Sequence, residues 1–503
     1  MNAPAVNTSL NAARRTADLA ALADAGSVDL LVIGGGITGA GIALDAAARG
    51  LSVALVESRD LAFGTSRWSS KLVHGGLRYL ATGNVGIARR SAMERGILMT
   101  RTAPHLTTAL PQLVPLLPSM SPFARVLVRA GFFAGDVLRI TARTPSSVLP
   151  RSHHVSAQAT IELSPTVARA GLKGGYVNYD GQLIDDARLV VAVARTAAGL
   201  GARILTRVAA SDVTGEQATL TDTVTGAAFQ LRAKAVVNAA GVWAGEVDES
   251  IKLRPSRGTH LVFDAAAFGN PTASLTVPIP GETNRFIFVM PEQLGRVYLG
   301  LTDEDAPGPI PDVPEPTEPE IDFLLDTINT ALDRQVTRAD ITGSYAGLRP
   351  LIDNGEGRTS DLSRDHAVLE SPSGIVSVVG GKLTEYRHMA EDTVDRALKL
   401  RGLTARPCTT RNLPLVGASG PVAGPESLIA RFGGESAAVL SEATCLNPLE
   451  PLVEGLDVTR AEVEFSIAHE GALDADDILD RRTRIGLVAA DRERALDAVE
   501  AFF

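Results

Sequence analysis

Apolar residues fall along this chain in two rhythms, unbroken runs and helix-spaced stripes, and each predicts its own elements. The first run, Val28-Asp-Leu-Leu-Val-Ile33, leads into Gly34-Gly35-Gly36 and then Ile37-Thr38-Gly39-Ala-Gly41. A second, Val53-Ala-Leu-Val56, ends on Glu57. Runs of this kind suit parallel strands covered on both faces, so residues 28–57 predict strand, tight turn, helix and strand. Two later runs also end on glycine, Ala235-Val-Val-Asn-Ala-Ala-Gly241 and Gly374-Ile-Val-Ser-Val-Val-Gly-Gly381. From about residue 409 the spacing becomes helical. Thr459-Arg-Ala-Glu462 forms a capping box ahead of Val463 and Ile467 at i, i+4, and Asp474 heads a second helix ending at Asp480-Arg-Arg-Thr-Arg-Ile-Gly486. Projected on a helix, residues 123–143 gather Arg125, Arg129, Asp136, Arg139 and Arg143 on one narrow stripe and leave the rest apolar or small. Residues 306–319, rich in Pro and Glu, predict an exposed loop.

The turn after the first strand has a chemical meaning. Gly34 and Gly36 let the backbone turn sharply and approach a pyrophosphate, and Gly39 lets the helix pack on the strand. The helix N-terminus, at Ile37 and Thr38, offers free N–H groups and a partial positive charge. Glu57 suits a ribose 2′-hydroxyl and would repel a 2′-phosphate. Three strand-to-glycine turns spread over the chain predict one dinucleotide-binding domain interrupted by insertions. That organisation departs from the contiguous unit of a NAD dehydrogenase and fits a flavoprotein with FAD threaded through a discontinuous domain.

The expected fold is therefore α/β with an all-helical end. A Rossmann-like FAD-binding domain (28–80, 165–250 and 343–408) is interrupted by an α+β substrate-binding or cap domain (81–164 and 251–342). A small helical C-terminal domain (409–503) follows, and residues 1–27 read as a mobile tail leading into a short helix.

Composition narrows the function classes. A chain of 503 residues is too long for one simple core. The net charge of −10 disfavours a nucleic-acid partner. Cys408 and Cys445, the two cysteines, form no disulfide framework and point to a reducing cytoplasm. No run reaches the roughly 18–20 apolar residues of a membrane-spanning helix, and the first 26 residues lack the apolar core of a signal peptide.

Chemistry concentrates in four segments. Thr65-Ser66-Arg-Trp-Ser69-Ser70-Lys71-Leu-Val-His74-Gly75-Gly76-Leu-Arg78-Tyr79 offers hydroxyls and a lysine for cofactor phosphates and glycines against a flat ring. Gly347-Leu-Arg349-Pro350, Ser363-Arg364-Asp365-His366 and Gly380-Gly381-Lys382-Leu383-Thr384-Glu385 each place a cation beside a turn. Together they predict a cationic pocket for a small anion, Arg as a fork and Lys as a point charge. No metal cluster is expected. With Ala240 and Gly241, the glycines and hydroxyls of the first and last segments complete the expected cofactor site: Thr65, Ser66, Ser69, Ser70, Lys71, His74, Gly75, Gly76, Gly381, Lys382, Leu383 and Thr384 beside the glycine-rich turn.

The set GGGITGAGIALDAAARGLSVALVE, SSKLVHGGLRYL, YDGQLIDDARL, VVNAAGVW, LTDED, GLRPL, SRDH and GGKLTEYR, with HEGALDADDILDRRTRIGL in the tail, resembles FAD-dependent glycerol-3-phosphate dehydrogenases over residues 28–490. The resemblance implies oxidation of glycerol 3-phosphate at C2 to dihydroxyacetone phosphate, with electrons passed to a membrane quinone. An oxidase using dioxygen and releasing hydrogen peroxide shares these motifs and stays as the alternative. By resemblance, Arg349 and Arg364 hold the substrate phosphate, with Arg78, Tyr79 and Lys382 nearby. His74 is the expected base because a histidine titrates near working pH, and His260 in Arg257-Gly-Thr-His260 is the second candidate.

The 123–143 helix leaves two readings open. Its four Arg and one Asp give +3, worth about 3 kcal/mol on an anionic bilayer surface, so it could lie in the interface with the arginines at the headgroups. Otherwise it packs on the substrate domain. The first reading places the protein in the cytoplasm, peripheral on the inner face of the membrane. A homodimer is compatible with the chain.

Overall fold

The computed structural model describes residues 7–503 apart from 82, 280, 283–284 and 354–364, and apart from the side chains of residues 78 and 81. Among the described residues the strands form two sheets, of eight and ten strands. The first is built on Ser27–Ile33, paired in parallel with Val53–Glu57 on one side and Ala228–Asn238 on the other. Arg203–Thr206 and Val376–Gly380 extend it in parallel at either side.

Both faces of this sheet are covered, which explains the unbroken apolar runs. Leu30, Val32 and Leu55 pack on one side against helices Ile37–Ala48, Asp186–Gly199 and Tyr386–Arg401. Leu31, Ile33 and Val56 pack on the other against Leu22, Val208 and Leu220. Each such side chain contributes about 1.5–3 kcal/mol by leaving water.

Leu22 belongs to a helix, Ala12–Ala25, where a mobile tail with a short helix was expected. Asn11 caps it by accepting from the Arg14 N–H at 2.9 Å, and Arg15 ties it to the sheet through the Thr206 carbonyl at 2.7 Å. These partners are about 190 residues away in sequence, so no local pattern announces them.

The second sheet takes Leu72–Val73, Gly175–Leu183 and Ile341–Ile352, which the sequence reading places in the nucleotide-binding domain apart from residues 341–342. Gly175–Leu183 pairs along its whole length with Thr107–Pro115, and Ile341–Ile352 pairs with Leu253–Asp264. The alternation within a strand fixes its faces and leaves its choice of sheet open. Helix Glu318–Asn329, with a capping box at Thr317 and Glu320, begins inside the predicted 306–319 loop.

The C-terminal region is helical, and the expected capping box is present: the Glu462 side chain accepts from the Thr459 N–H at 2.8 Å ahead of helix Arg460–His469. Asp474 caps the next helix by accepting from the Asp477 N–H at 2.8 Å. The arginines that follow turn inward. Arg482 is fully buried on Asp60 at 2.8 Å, Arg481 reaches the same carboxylate at 2.6 Å, and Arg484 donates to the Arg67 carbonyl at 2.6 Å. Removing one partner of such a pair costs about 3–5 kcal/mol, so the helical domain fixes the loop that follows the second strand.

Helix Pro122–Thr141 runs through Gly131 and Gly135, and Ser121 caps it. Its polar stripe faces the protein: Arg129 donates to Ser152 Oγ at 2.9 Å, Arg139 to the Thr144 carbonyl at 2.9 Å and Arg125 to the Leu117 carbonyl at 3.2 Å. Phe123, Val126, Phe133 and Ile140 stand exposed instead, at 76%, 68%, 64% and 58%. The loops around these arginines thus supply them with polar partners, Arg139 being buried and Arg129 still exposed. Arg143 lies beyond the helix. Among the described residues no helix is long and apolar enough to cross a membrane.

Candidate active site

One cavity of about 1100 Å³ runs between the sheets and contains most of the predicted residues. Its nucleotide end is made by the strand ends of the first sheet. Gly34 adopts φ 114°, and a Cβ there would lie 2.5 Å from the Ala239 carbonyl. A Cβ on Gly39 would lie 1.9 Å from the Gly34 carbonyl, so the helix approaches the strand only because both are glycine. Glu57 accepts from the Gly35 N–H at 2.7 Å, and burial pushes its carboxyl above the ordinary value. Ser66 Oγ accepts from the Ile37 N–H at 2.9 Å, which pins the hydroxyl loop onto the helix start. Thr65, Ser66, Ser69 and Ser70 line this wall, with Ala240, Gly241, Gly75, Gly76, Gly381, Leu383 and Thr384.

Trp68 also lines it, its Nε1 buried with no hydrogen-bond partner among the described residues. A buried orphan donor lining the same cavity as a turn that has room only for glycine is a fit for an extended cofactor with acceptor atoms.

Cations gather at the other end, each beside a carboxylate. Arg349, on Ile341–Ile352, donates to Asp303 Oδ1 at 3.1 Å and to the Thr302 carbonyl at 3.3 Å. Gly258 makes way for it, since a Cβ there would lie 2.3 Å from Nη2. Lys382 donates to Glu385 at 3.0 Å and to Ser91 Oγ at 2.9 Å, with its ammonium 3.9 Å from the Tyr79 ring centroid. Burial pushes Glu385 up, but Lys382, Ser91 and Arg90 together hold its carboxyl below the ordinary value.

The two histidines differ in kind. His74 is 46% exposed, and its Nδ1 lies 3.2 Å from Asp180. His260 is buried: Nε2 meets Ser70 Oγ at 2.9 Å, Nδ1 has no partner among the described residues, and the ring stacks on Tyr345 at 4.7 Å. Burial, with the charges of Lys71 and Arg349, holds its pKa well below the ordinary value, so the ring stays neutral.

Lys71 is not brought to the cavity. It is buried on Asp186 at 2.8 Å and donates to the Arg67 carbonyl at 3.0 Å, because Asp186, at the start of its helix, presents a carboxylate that the desolvated ammonium requires. Arg364 lies outside the described residues, as does the side chain of Arg78. Sequence reasoning missed Asp180, Asp303, Glu385 and Arg95 as site residues. Three of them stand in stretches it did single out, Tyr-Asp-Gly, Leu-Thr-Asp-Glu-Asp and Gly-Gly-Lys-Leu-Thr-Glu, where an acid close to the predicted cations or glycines was the available signal.

Comparison with known proteins agrees with this geometry. Residues 29–387 match the family described as FAD dependent oxidoreductase, and residues 408–502 match the C-terminal domain of alpha-glycerophosphate oxidase. Glycerol-3-phosphate dehydrogenase 1 of Mycobacterium tuberculosis (strain ATCC 25618 / H37Rv) is 68% identical over 508 aligned positions, covering 99% of this chain and 98% of that protein. The aerobic glycerol-3-phosphate dehydrogenase of Staphylococcus aureus (strain MRSA252) is 38% identical, covering 77% of this chain and 71% of that protein. Among solved structures, the glycerol-3-phosphate dehydrogenase from Bacillus halodurans complexed with FAD superposes with a TM-score of 0.73 at 28% identity, covering 98% of this chain and 94% of that one. The chain belongs to the FAD-dependent oxidoreductase family, among the glycerol-3-phosphate dehydrogenases, and its cofactor is FAD.

Proposed function

We propose that the chain oxidises sn-glycerol 3-phosphate at C2 to dihydroxyacetone phosphate and passes the electrons to a membrane quinone. The observation that carries this reading is that Arg349, Lys382 and His74, from three separate parts of the chain, line the same cavity as the glycine-rich turn. When bound, FAD supplies the acceptor for the hydride that leaves C2, two electrons in all. The glycine-rich turn, Glu57 and the Thr65–Ser70 hydroxyls would hold its nucleotide part, and Gly75, Gly76, Gly381 and Thr384 its ring.

The substrate's own groups then fall to the cations. Arg349 offers a planar fork to the phosphate, already oriented by Asp303 and the Thr302 carbonyl. Lys382 supplies a point charge where O2 gains negative character. His74 takes the O2–H proton, so that C2 and O2 close into a carbonyl as hydride and proton leave. It suits that part because its ring is open to the cavity, whereas the Nε2 of His260 is engaged by Ser70. Arg364 and Arg78 enter the phosphate site by resemblance.

The exposed apolar face of Pro122–Thr141 supports a bilayer as the place of work, at the inner face of the cytoplasmic membrane. The same helix lines the cavity through Leu127, Gly131 and Gly135, which joins a lipid-facing surface to the redox site. In this form docking comes from burying Phe123, Val126, Phe133 and Ile140, not from the arginines.

Two measurements test the reading. FAD-loaded protein reduced anaerobically with glycerol 3-phosphate should be reoxidised by a short-chain quinone much faster than by dioxygen. Equal rates with stoichiometric hydrogen peroxide would establish the oxidase instead. Phe133→Glu should weaken flotation with lipid vesicles, and unchanged flotation would remove this helix from any membrane contact.

A further inference from the structure

Antiparallel pairing of Leu72–Val73 with Gly175–Leu183 sets Val73 opposite Gly181 and so brings Asp180 against the backbone of His74 and Gly75. Asp180 Oδ2 lies 3.2 Å from His74 Nδ1, while Oδ1 accepts from the Gly75 N–H at 3.1 Å and from Arg95 Nη1 at 2.6 Å. Arg95 comes from helix Val85–Ile97 and reaches the carboxylate across Gly75, where a Cβ would lie 2.2 Å from Nη1. Burial pushes Asp180 up, but the Arg95 charge and the His74 hydrogen bond outweigh it and hold the carboxyl below the ordinary value.

A carboxylate so placed can only accept. The imidazole nitrogen facing it must therefore carry the hydrogen, which leaves the lone pair on Nε2, at the end of a side chain half open to the cavity. We infer that Asp180 is a positioning residue for proton transfer: it fixes His74 in the Nδ1–H tautomer with Nε2 free for the substrate's O2 hydroxyl, and Arg95 locks Asp180 in turn. The inference rests on the reading of His74 as the base. In the step itself the O2–H bond breaks, its proton goes to Nε2, and Asp180 remains ionised beside the imidazolium, as in other carboxylate–histidine pairs.

Asp180→Asn tests it, because an asparagine can turn its NH2 toward Nδ1 and drive the hydrogen to Nε2. The variant would be assayed with FAD bound, on glycerol 3-phosphate with a soluble dye as acceptor. We expect kcat to fall by about tenfold to a hundredfold with KM little changed, no more than the roughly 10²–10⁴-fold a positioned base itself contributes. Flavin content should match the unmodified protein. In a His74→Gln background, Asp180→Asn should cost nothing further, since there is no tautomer left to fix.

An unchanged kcat in Asp180→Asn would overturn the inference. So would the same fold-loss in both backgrounds, or a loss that follows the flavin content, since each describes a structural residue. If His74→Gln alone keeps its kcat, the assignment of the base fails first. If it loses kcat while Asp180→Asn does not, only the positioning role fails.

Discussion

At the nucleotide end the cavity is lined by backbone and small residues, led by the glycine-rich turn with Glu57 and joined by the Thr65–Ser70 hydroxyls, Ala240 and Gly241. At the other end the charged side chains come from different parts of the chain and arrive with carboxylates: Arg349 with Asp303, Lys382 with Glu385, and Arg95 with Asp180, which also faces the His74 imidazole. The first end needs closeness, and its residue types follow from steric limits on a turning strand. The second needs charge in a partly buried place, where a lone cation is costly and a paired one is tolerated and held still. Residues that bind by backbone announce themselves locally. Residues that bind by side chain depend on partners that only the fold brings near.

The sharpest way to break this comparison is to damage each end separately. Gly39→Val should drive the helix off the strand and abolish FAD binding, read as the flavin-to-protein absorbance ratio, because its Cβ has no room beside the Gly34 carbonyl. Arg349→Ala should leave that ratio intact and lower kcat/KM by about 10²–10⁴-fold, the worth of two charge-assisted hydrogen bonds at about 1.5–3 kcal/mol each. If Arg349→Ala instead loses FAD, the two ends are not separable. A smaller effect is expected of Glu57→Gln, which keeps the shape and removes the charge: titration should show FAD affinity weakened by about tenfold, with kcat unchanged at saturating FAD.

The smallest effect concerns acid. Asp180 and Glu385 both have folded-state values below the ordinary ones. Their contribution is therefore present above about pH 4, the unfolded carboxylate range, and is lost as pH falls through the folded values. Thermal unfolding followed from pH 6 downward should show the melting temperature dropping below about pH 4, and less steeply in Asp180→Asn. Equal slopes would mean the pairing adds no stability.

Much of this could be read from the chain. The run from Val28 to Glu57 specified its strand, turn and helix through steric demands that leave few residue choices. The capping box at Thr459 and the N-cap at Asp474 located C-terminal helices from a few residues each. What stayed hidden was long-range. Lys71 reads like a phosphate ligand beside serines, yet Asp186, 115 residues on, claims it. Arg481 and Arg482 read like the charged end of a helix, yet both are buried on Asp60, some 420 residues earlier. Four members of the predicted stripe lie on Pro122–Thr141 and Arg143 falls beyond its end, and a helical projection cannot say which face meets solvent. Ser152 and the Thr144 and Leu117 carbonyls decided that.

The central claim is that both ends form one site acting on one substrate. Its most direct test is anaerobic addition of glycerol 3-phosphate to the FAD-loaded protein while the visible flavin absorbance is followed. The account predicts bleaching in the unmodified protein and almost none, at the same substrate concentration and time, in Arg349→Ala carrying the same amount of FAD. A yellow unmodified protein that does not bleach, or an Arg349→Ala variant that bleaches as fast, would contradict it.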